Sequence, residues 1–337
     1  MKLDTGLSVR SLRDVPEAAK AAEAMGFDGV WSFETSQDPF LPLALAAEHT
    51  ERLELGTSIA VAFPRSPLVH AQIAWDLQAM SGGRFILGLG TQVKGHNERR
   101  FGIPWDQPGP RLREMIQMIR AVWSCWQDGA KPDFVGKFYQ FTLMTPFFQP
   151  APLTVPKPPI YIAGVNEYMC RLAGELCDGF HVHPMHSIRY LEEFALPLIR
   201  EGQQAAGRDA DSCKLSTSAF VITGRDEQEI EAAKGPVRQQ LSFYASTRTY
   251  RKVLELHGWD DVPAKLNARA AQGDWQGMAD EITDDMLDVF ATVGRLDEIG
   301  AKVRQKYDGI LDRVTFYFPF DRNDGMPWRD WIEALHG

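Results

Sequence analysis

Short apolar runs alternate with longer stretches whose apolar positions recur every three or four residues. Residues 3–9 predict a strand, and the helical spacing of Val15, Ala18, Ala19 and Ala22 predicts a helix over 15–25. The same unit repeats along the chain, each strand being followed by a helix. Seven more strands are predicted within residues 26–33, 53–60, 85–90, 160–163, 179–182, 215–223 and 314–318.

Eight strands that each pair with a helix predict a parallel sheet with right-handed crossovers. Either an open doubly wound sheet or a closed (β/α)8 barrel satisfies this order, and the number eight favours the barrel. The alternation is interrupted twice, after the fourth and seventh helices, at about residues 129–158 and 245–290. The first interruption predicts a hairpin around Gly136, and the second is helical and acidic. We expect one barrel domain over 1–337 with two insertions.

Composition narrows the class of protein. The 337 residues are 44% hydrophobic and 24% charged, which is typical of a folded chain. Lys and Arg number 36 against 45 Asp and Glu, and this negative balance argues against nucleic acid and anionic membrane as partners. Prolines interrupt the most apolar stretch, residues 141–163, which argues against a membrane span. Four scattered cysteines and a start without an apolar signal segment predict a reduced, cytoplasmic protein.

In a barrel of this kind, functional residues lie at the carboxyl ends of the strands. Glu34 follows the second predicted strand and is either a proton donor or acceptor or an ion-pair partner of Arg65. The glycines at 88 and 90 allow a ligand to approach the backbone closely, although the run is neither a dinucleotide fingerprint nor a P-loop. Ala163-Gly164-Val165-Asn166 opens into a helix and predicts either an anion site at its N-terminus or a plain tight turn.

Three histidines follow the sixth predicted strand: His181, His183 and His186. A His-x-His pair on one strand can seed a metal site, so a metal-dependent barrel hydrolase that uses His181 and His183 is one alternative. The ends of the last two strands add no convincing further ligands, and neither a nucleophile elbow nor a recognisable cysteine motif is present. We therefore expect no metal.

Five segments along the chain are GFDGVW at 26–31, LGTSI at 55–59, SGGRFILGLG at 81–90, PIYIAG at 159–164 and AGELCDGF at 173–180. Taken in order, they resemble the luciferase-like monooxygenase superfamily. The resemblance is strongest for the branch that uses the 5-deazaflavin coenzyme F-420, which includes a glucose-6-phosphate dehydrogenase and methylenetetrahydromethanopterin reductase. FMN-dependent monooxygenases share the same motifs, and the resemblance covers nearly the whole chain.

The resemblance implies a bulge in the third strand with a non-proline cis peptide at Ser58–Ile59 that supports the deazaflavin ring. It also implies cofactor contacts with the ring, the side chain and the phosphate or ribityl region. The positions that match these cofactor contacts are Thr57, Ser58, Ile59, Gly90, Thr91, Asn97, Ala163, Gly164 and Val165.

The chain departs from the sugar-phosphate dehydrogenase of that branch. Glu34-Thr35 stands where that enzyme has an Asp-His pair, and Lys94 replaces its glutamate, so glucose 6-phosphate is not the expected substrate. Glu34 and His96 become the proton-transfer residues of this hypothesis, and His186 matches a substrate-contacting lysine. Aromatic residues near the mouth suggest an apolar or aromatic substrate. The expected substrate contacts are Phe33, Phe63, Arg65 and His186.

The leading hypothesis is hydride transfer between coenzyme F-420 and an unidentified, apolar organic molecule. Within the same fold, an FMN-dependent monooxygenase that uses oxygen and a separate flavin or deazaflavin reductase is the alternative. A non-catalytic barrel that retains a flavin site is a third interpretation, because the acid and base of the dehydrogenase are replaced. The resemblance also predicts a homodimer.

Overall fold

The computed structural model describes all residues from 1 to 337, and its main sheet closes into a barrel. The strands are Lys2–Gly6 (β1), Gly29–Ser32 (β2), Glu54–Thr57 (β3), Ala60–Val61 (β4), Phe85–Gly90 (β5), Phe134–Val135 (β6), Gln140–Phe141 (β7), Ile160–Gly164 (β8), Gly179–Val182 (β9), Lys214–Gly224 (β10), Ala291–Arg295 (β11) and Arg313–Phe316 (β12). The barrel order is β10-β12-β1-β2-β3-β5-β8-β9, and the pairing of β9 with β10 closes it. The predicted (β/α)8 barrel is confirmed.

Helices follow the barrel strands on the outside. They are Val15–Met25 (α1), Leu41–His49 (α2), Pro67–Met80 (α3), Lys94–Arg99 (α4), Pro108–Asp128 (α5), Glu167–Leu176 (α6), Ile188–Tyr190 (α7), Leu196–Ala205 (α8), Glu227–Ala245 (α9), Arg251–Glu255 (α10), Val262–Ala271 (α11), Trp275–Asp280 (α12), Asp284–Phe290 (α13), Ile299–Tyr307 (α14) and Trp328–His336 (α15). A π-helical turn, Leu191–Ala195, joins α7 to α8 in the stretch predicted as one helix. The sequence analysis missed α4 and α15. No helix combines the length and apolar character needed to cross a membrane.

The predicted third strand is not continuous. β3 pairs with β5 at Leu55 and Gly56, the strand is then interrupted at Ser58–Ile59, and β4 pairs with the end of β5. A Cβ on Gly88 would overlap the carbonyl oxygen of Thr57, so only glycine allows the two strands to approach this closely. The interruption lies at the carboxyl end of the barrel, where a ligand would bind.

The insertion between α5 and β8 contains the expected hairpin. β6 and β7 pair antiparallel, with Phe134 opposite Phe141. The carboxylate of Glu114, on α5, accepts hydrogen bonds from the backbone N–H groups of Lys137, Phe138 and Tyr139 at 2.9, 2.6 and 2.5 Å. One carboxylate therefore holds the hairpin turn against the barrel.

The second insertion differs from its prediction. Helices α10 to α13 occupy 251–290, but the chain then adds a strand, β11, before α14. β11 pairs in parallel with the outer half of β10, from Phe220 to Gly224, outside the barrel wall. The expected helix over 296–307 accordingly begins at Ile299. The sequence of β11 is short and follows an apolar helix end directly, so no turn signal separates it.

Two layers of side chains fill the lower barrel. Arg313 donates to both carboxylate oxygens of Asp4 at 2.6 and 2.8 Å and to Glu54 at 2.8 Å, and Trp31 donates to Asp4 at 2.9 Å. Above this network, the rings of Trp31 and Tyr161 pack with Ile86 inside the barrel. With the N-terminal end filled, the interior opens toward the carboxyl ends of the strands.

Candidate active site

A cavity of about 690 Å³ occupies the carboxyl end of the barrel. Segments that follow all eight barrel strands line it, and the second insertion adds residues from above. This volume is in the range that small-molecule and cofactor sites occupy. The lining segments include 6–9, 31–38, 58–59, 90–93, 163–165, 181–184, 216–218 and 315–319, together with Tyr244, Thr249 and Tyr250.

One wall of the cavity is the break between β3 and β4. The Ser58–Ile59 peptide is cis, as expected, and both residues line the cavity. A Cβ on Gly90 would lie 2.7 Å from the side chain of Ile59, so Ile59 packs against the bare backbone of β5. Thr57 is fully buried instead, because its hydroxyl donates to the Gly88 carbonyl at 2.7 Å and accepts from the Gly88 N–H at 2.9 Å. Its side chain joins two strands.

A second wall leads to the N-terminus of α6. Ala163, Gly164 and Val165 line the cavity, and the next residue, Asn166, caps the helix by accepting from the N–H of Met169 at 3.0 Å. The Tyr190 hydroxyl donates to the Val165 carbonyl at 3.0 Å, which fixes this turn. The first-turn N–H groups of a helix attract anions, so the wall suits a phosphate.

The loop after β5 separates two predicted site residues. Asn97 is buried, and its side-chain amide donates to the carbonyls of Thr91 and Val93 at 2.9 and 3.1 Å, so it shapes the loop from beneath. Thr91 lines the cavity as expected. His96 does not: α4 turns it to solvent while Asn97 faces inward. The predicted proton-transfer role of His96 finds no support in this position.

Glu34 lines the cavity, but its carboxylate is fully engaged. It accepts from the Val61 N–H at 2.6 Å and from both terminal nitrogens of Arg65 at 2.9 and 3.0 Å, and its side chain is 6% exposed. Arg65 also donates to Asp38 at 2.8 Å. Burial opposes ionisation of Asp38, but the Phe40 N–H and Arg65 outweigh it and lower the pKa of this carboxyl. The ion-pair interpretation of Glu34 describes this geometry.

Of the four predicted substrate contacts, Phe33 alone lines the cavity. Arg65 is held behind the wall by its two carboxylates. Phe63 packs beneath the Arg111 guanidinium, 4.6 Å from its ring centre. His186 is 1% exposed, with its Nε2 at 3.0 Å from the Tyr307 hydroxyl, so barrel packing and not a ligand satisfies it.

The first histidine of the cluster lies inside the barrel. His181 packs edge-on against Trp31 at 4.9 Å, and its Nδ1 is 2.6 Å from the Ser216 hydroxyl. Burial lowers the pKa of His181 to about 3, so the ring is neutral. Its Nε2 is buried in the barrel wall beside the backbone of Gly88 and Thr57. No group of three or more His, Cys, Asp or Glu side chains in the chain is arranged to hold a metal ion.

Sequence reasoning missed an aromatic group on the far side of the mouth, which we call the tyrosine–histidine cluster: His183, Tyr244, Tyr250 and Tyr317. The His183 ring stacks on Tyr250 at 4.1 Å and meets the edge of Tyr244 at 4.6 Å. The hydroxyls of Tyr244 and Tyr317 are 2.5 Å apart. Tyr244 and Tyr250 flank the start of the second insertion, so recognising that this insertion covers the mouth would have found them.

A closed barrel with a cofactor-sized cavity at its carboxyl end defines the class of protein, and comparisons with known proteins narrow it. The model of the luciferase-like monooxygenase family matches residues 2–313. The chain therefore belongs to this family.

Individual relatives fall in the same family. An uncharacterised protein of Mycobacterium tuberculosis is 48% identical over 318 residues, covering 94% of this chain and 93% of that protein. The 5,10-methylenetetrahydromethanopterin reductase of Archaeoglobus fulgidus is 28% identical over 293 residues, covering 85% and 83%. Among solved structures, the coenzyme F-420-dependent tetrahydromethanopterin reductase from Methanopyrus kandleri superposes with a TM-score of 0.75 at 22% identity, covering 99% of this chain and 96% of that one. This likeness shows that the fold is shared.

Proposed function

We propose that this chain is a coenzyme F-420-dependent oxidoreductase that transfers a hydride between the deazaflavin and an uncharacterised apolar organic substrate. The observation that carries the proposal is that one cavity joins the Ser58–Ile59 wall to the N-terminus of α6. A flat ring and an anionic tail need these two features at opposite ends. The similarity to a putative coenzyme F-420-dependent oxidoreductase of Mycobacterium tuberculosis, 27% identical over 304 residues, supports this cofactor.

The residues present fit such a group. Ser58 and Ile59 offer a backbone surface for a ring, and Gly90 and Thr91 border it without a bulky side chain. At the floor, the His181 ring and Ser216 line the cavity and are joined by a contact of 2.6 Å between Nδ1 and the Ser216 hydroxyl. The turn at 163–165 and the first turn of α6 would hold the phosphate. When bound, the deazaflavin supplies hydride chemistry.

The residues of the chain position the substrate and exclude water from the cavity. Phe33 and Phe318 line the cavity from two strand ends, and the second insertion brings Tyr250 over the mouth. Aromatic walls of this kind bind apolar molecules by burying their surface. We therefore expect an apolar substrate to lie between the deazaflavin ring and these side chains, in a space from which most bulk water is excluded.

Two other functions make different demands on the same cavity. The family is named for monooxygenases, so an FMN-dependent reaction with oxygen and a separate reductase is the second candidate. A flavin-binding barrel without turnover is the third, because Glu34 is engaged in its ion pair.

Side-by-side fluorescence titrations of the purified protein with coenzyme F-420 and with FMN test the proposal. We expect saturable quenching by the deazaflavin, with binding at least about tenfold tighter than that of FMN, a difference of about 1.4 kcal/mol. Preference for FMN supports the monooxygenase. Binding of neither ligand refutes every flavin interpretation. Retention of the deazaflavin without hydride exchange in a screen of carbonyl compounds and alcohols supports the non-catalytic barrel.

A charge variant tests the site itself. Val165→Glu places a carboxylate beside the proposed phosphate position, and like-charge repulsion should weaken binding of either cofactor at least about tenfold. Val135→Glu, on the exposed hairpin, adds the same charge far from the cavity and should bind as the parent does. Equal affinity in both variants contradicts the assignment of the phosphate to α6.

A further inference from the structure

The tyrosine–histidine cluster lies across the barrel from the Ser58–Ile59 wall. In the closed strand order, β3 and β10 are four strands apart in either direction, so they face each other across the barrel axis. His183 directly follows β9, and Tyr317 directly follows β12 on the other side of β10. Tyr244 lies at the end of α9, which follows β10, and Tyr250 lies shortly after it. A ring against Ser58–Ile59 therefore presents its free face to these side chains.

The two hydroxyls of the cluster form a donor–acceptor pair. They are 2.5 Å apart, and neighbours fix both rings: Tyr317 lies on Phe220 at 4.4 Å, and Tyr244 meets His183 at 4.6 Å. One hydroxyl must donate to the other in such a pair, which leaves the second O–H free to donate elsewhere. Burial raises the pKa of both Tyr244 and Tyr317, so both hydroxyls keep their protons at neutral pH.

His183 adds a second donor beside them. The Met185 N–H donates to His183 Nδ1 at 3.1 Å, and burial lowers the pKa of this ring to about 3. A neutral imidazole whose Nδ1 accepts carries its proton on Nε2. The cluster therefore offers hydrogen-bond donors from its hydroxyl and imidazole groups, and none of its hydrogen-bond acceptors is charged.

The charges around the cavity are few. Glu34 and Asp38 are the charged residues that line it, and Arg65 pairs with both from behind the wall. Neither lysine nor arginine lines the cavity, so no cation is available there to compensate an anionic substrate, and burying an unpaired charge is costly.

We propose that the Tyr244–Tyr317 pair binds the reacting oxygen of an uncharged carbonyl compound or its alcohol and exchanges the proton of that oxygen. This inference rests on the proposed function. In the reducing direction, the bound deazaflavin would supply the hydride for the new C–H bond, and the C=O π electrons would move to oxygen. The oxygen takes a proton as one tyrosine O–H bond breaks, and that phenolate regains a proton from its partner tyrosine and then from solvent, which reaches Tyr317. Oxidation of the alcohol runs these steps in reverse.

Binding and turnover of matched probes test the proposal in the holoenzyme. The affinity of the parent and of each variant for coenzyme F-420 is measured first. A parent protein that does not bind coenzyme F-420 would refute the proposed function itself, separately from the role of the tyrosine pair. Calorimetry then compares 4-nitrobenzyl alcohol and cyclohexanol with 4-nitrobenzoate and cyclohexanecarboxylate. We expect an alcohol to bind and each carboxylate to bind at least about tenfold more weakly, or not at all.

The variants are Tyr317→Phe and Tyr244→Phe, with Tyr139→Phe as the matched control. The Tyr139 hydroxyl accepts from Arg111 at 3.0 Å on the hairpin, outside the cavity. Each cluster variant should retain the parent affinity for coenzyme F-420 and the parent melting temperature. Tyr317→Phe should weaken alcohol binding and lower kcat for the best-bound alcohol about 100-fold, with loss of the solvent deuterium isotope effect. Parent-like kcat in both cluster variants, preference for the carboxylates, or binding of no alcohol overturns the proposal.

Discussion

Replacing Glu34 with alanine is expected to destabilise the protein, because its carboxylate and Arg65 form a buried ion pair. The side chains are 6% and 17% exposed, and three hydrogen bonds of 2.6 to 3.0 Å end on Glu34. Removing Glu34 leaves the Val61 N–H without its acceptor and Arg65 with Asp38 alone. Breaking one side of a buried pair costs about 3–5 kcal/mol, and the bond to Asp38 places this case near the lower end of that range.

The loss can be expressed as a melting temperature. Unfolding entropy of about 2.1 cal/mol/K per residue over 337 residues gives about 0.7 kcal/mol/K, so 3–5 kcal/mol corresponds to a decrease of roughly 4–7 °C. Differential scanning fluorimetry measures it. In a double-mutant cycle with Arg65→Met, the double variant should lose less stability than the sum of the single losses, because the charges act as a pair.

Glu48→Ala is the control, since Glu48 is an exposed helical glutamate without an ion pair, and its change should stay within about 0.5 kcal/mol. Glu34→Gln separates charge from shape. An unchanged melting temperature in Glu34→Gln and Glu34→Ala, together with lost turnover, would refute the structural role and restore Glu34 as a proton-transfer residue.

Three further predictions follow from the same structure. Gly88→Ala should prevent folding or lower the melting temperature sharply, because the new Cβ overlaps the Thr57 carbonyl. In the control Gly235→Ala, the new Cβ meets open space in α9, so this variant should be neutral or stabilising by up to about 1 kcal/mol. Equal melting temperatures of the two variants would contradict the close approach of the strands at Gly88. Three buried histidines, His70, His181 and His186, and the half-buried His183 have pKa values of about 3 to 4, against about 6.5 when unfolded, so the unfolded chain binds more protons in acid. Urea unfolding at and below about pH 7.5 should therefore show a free energy of unfolding that decreases as the pH falls below about 6.5, each histidine contributing at most about 1.4 kcal/mol per pH unit. A pH-independent stability in this range would contradict the low pKa values, and His70→Gln should reduce the slope. Light scattering should give twice the chain mass of 37.9 kDa for the expected homodimer, and a monomer mass would refute it.

The sequence predicted the barrel because each strand–helix unit carries its own local signal. Apolar runs that contain or adjoin glycine, such as those that begin at Gly29 and at Phe85, indicate buried strands without any knowledge of the neighbouring strands. β11 escaped because Ala291–Arg295 is short, follows α13 directly, and becomes a strand by pairing with β10. Such tertiary pairing has no counterpart in local periodicity.

The site was predicted in part for the same reason. The strand order alone predicts which backbone segments border the cavity, because these segments lie at the carboxyl ends of the strands. They include Ser58, Ile59, Gly90 and Val165. His96 and His186 depend on which way a side chain turns, and a helix turn or a hydrogen bond with Tyr307 decides that. The tyrosine–histidine cluster required knowing that a segment remote in sequence folds back over the mouth.

The continuous course of β10 limits how the protein can be re-engineered. Its first residues, Lys214 to Thr217, pair with β9 in the barrel, and Phe220 to Gly224 pair with β11 beyond it. Excising the second insertion together with β11 would leave that outer half with unpaired backbone groups on a rigid, apolar ribbon. Exposed edges of this kind recruit strands from other molecules. A shortened chain is therefore expected to aggregate unless its new edge is covered, which favours grafting a replacement strand over simple deletion.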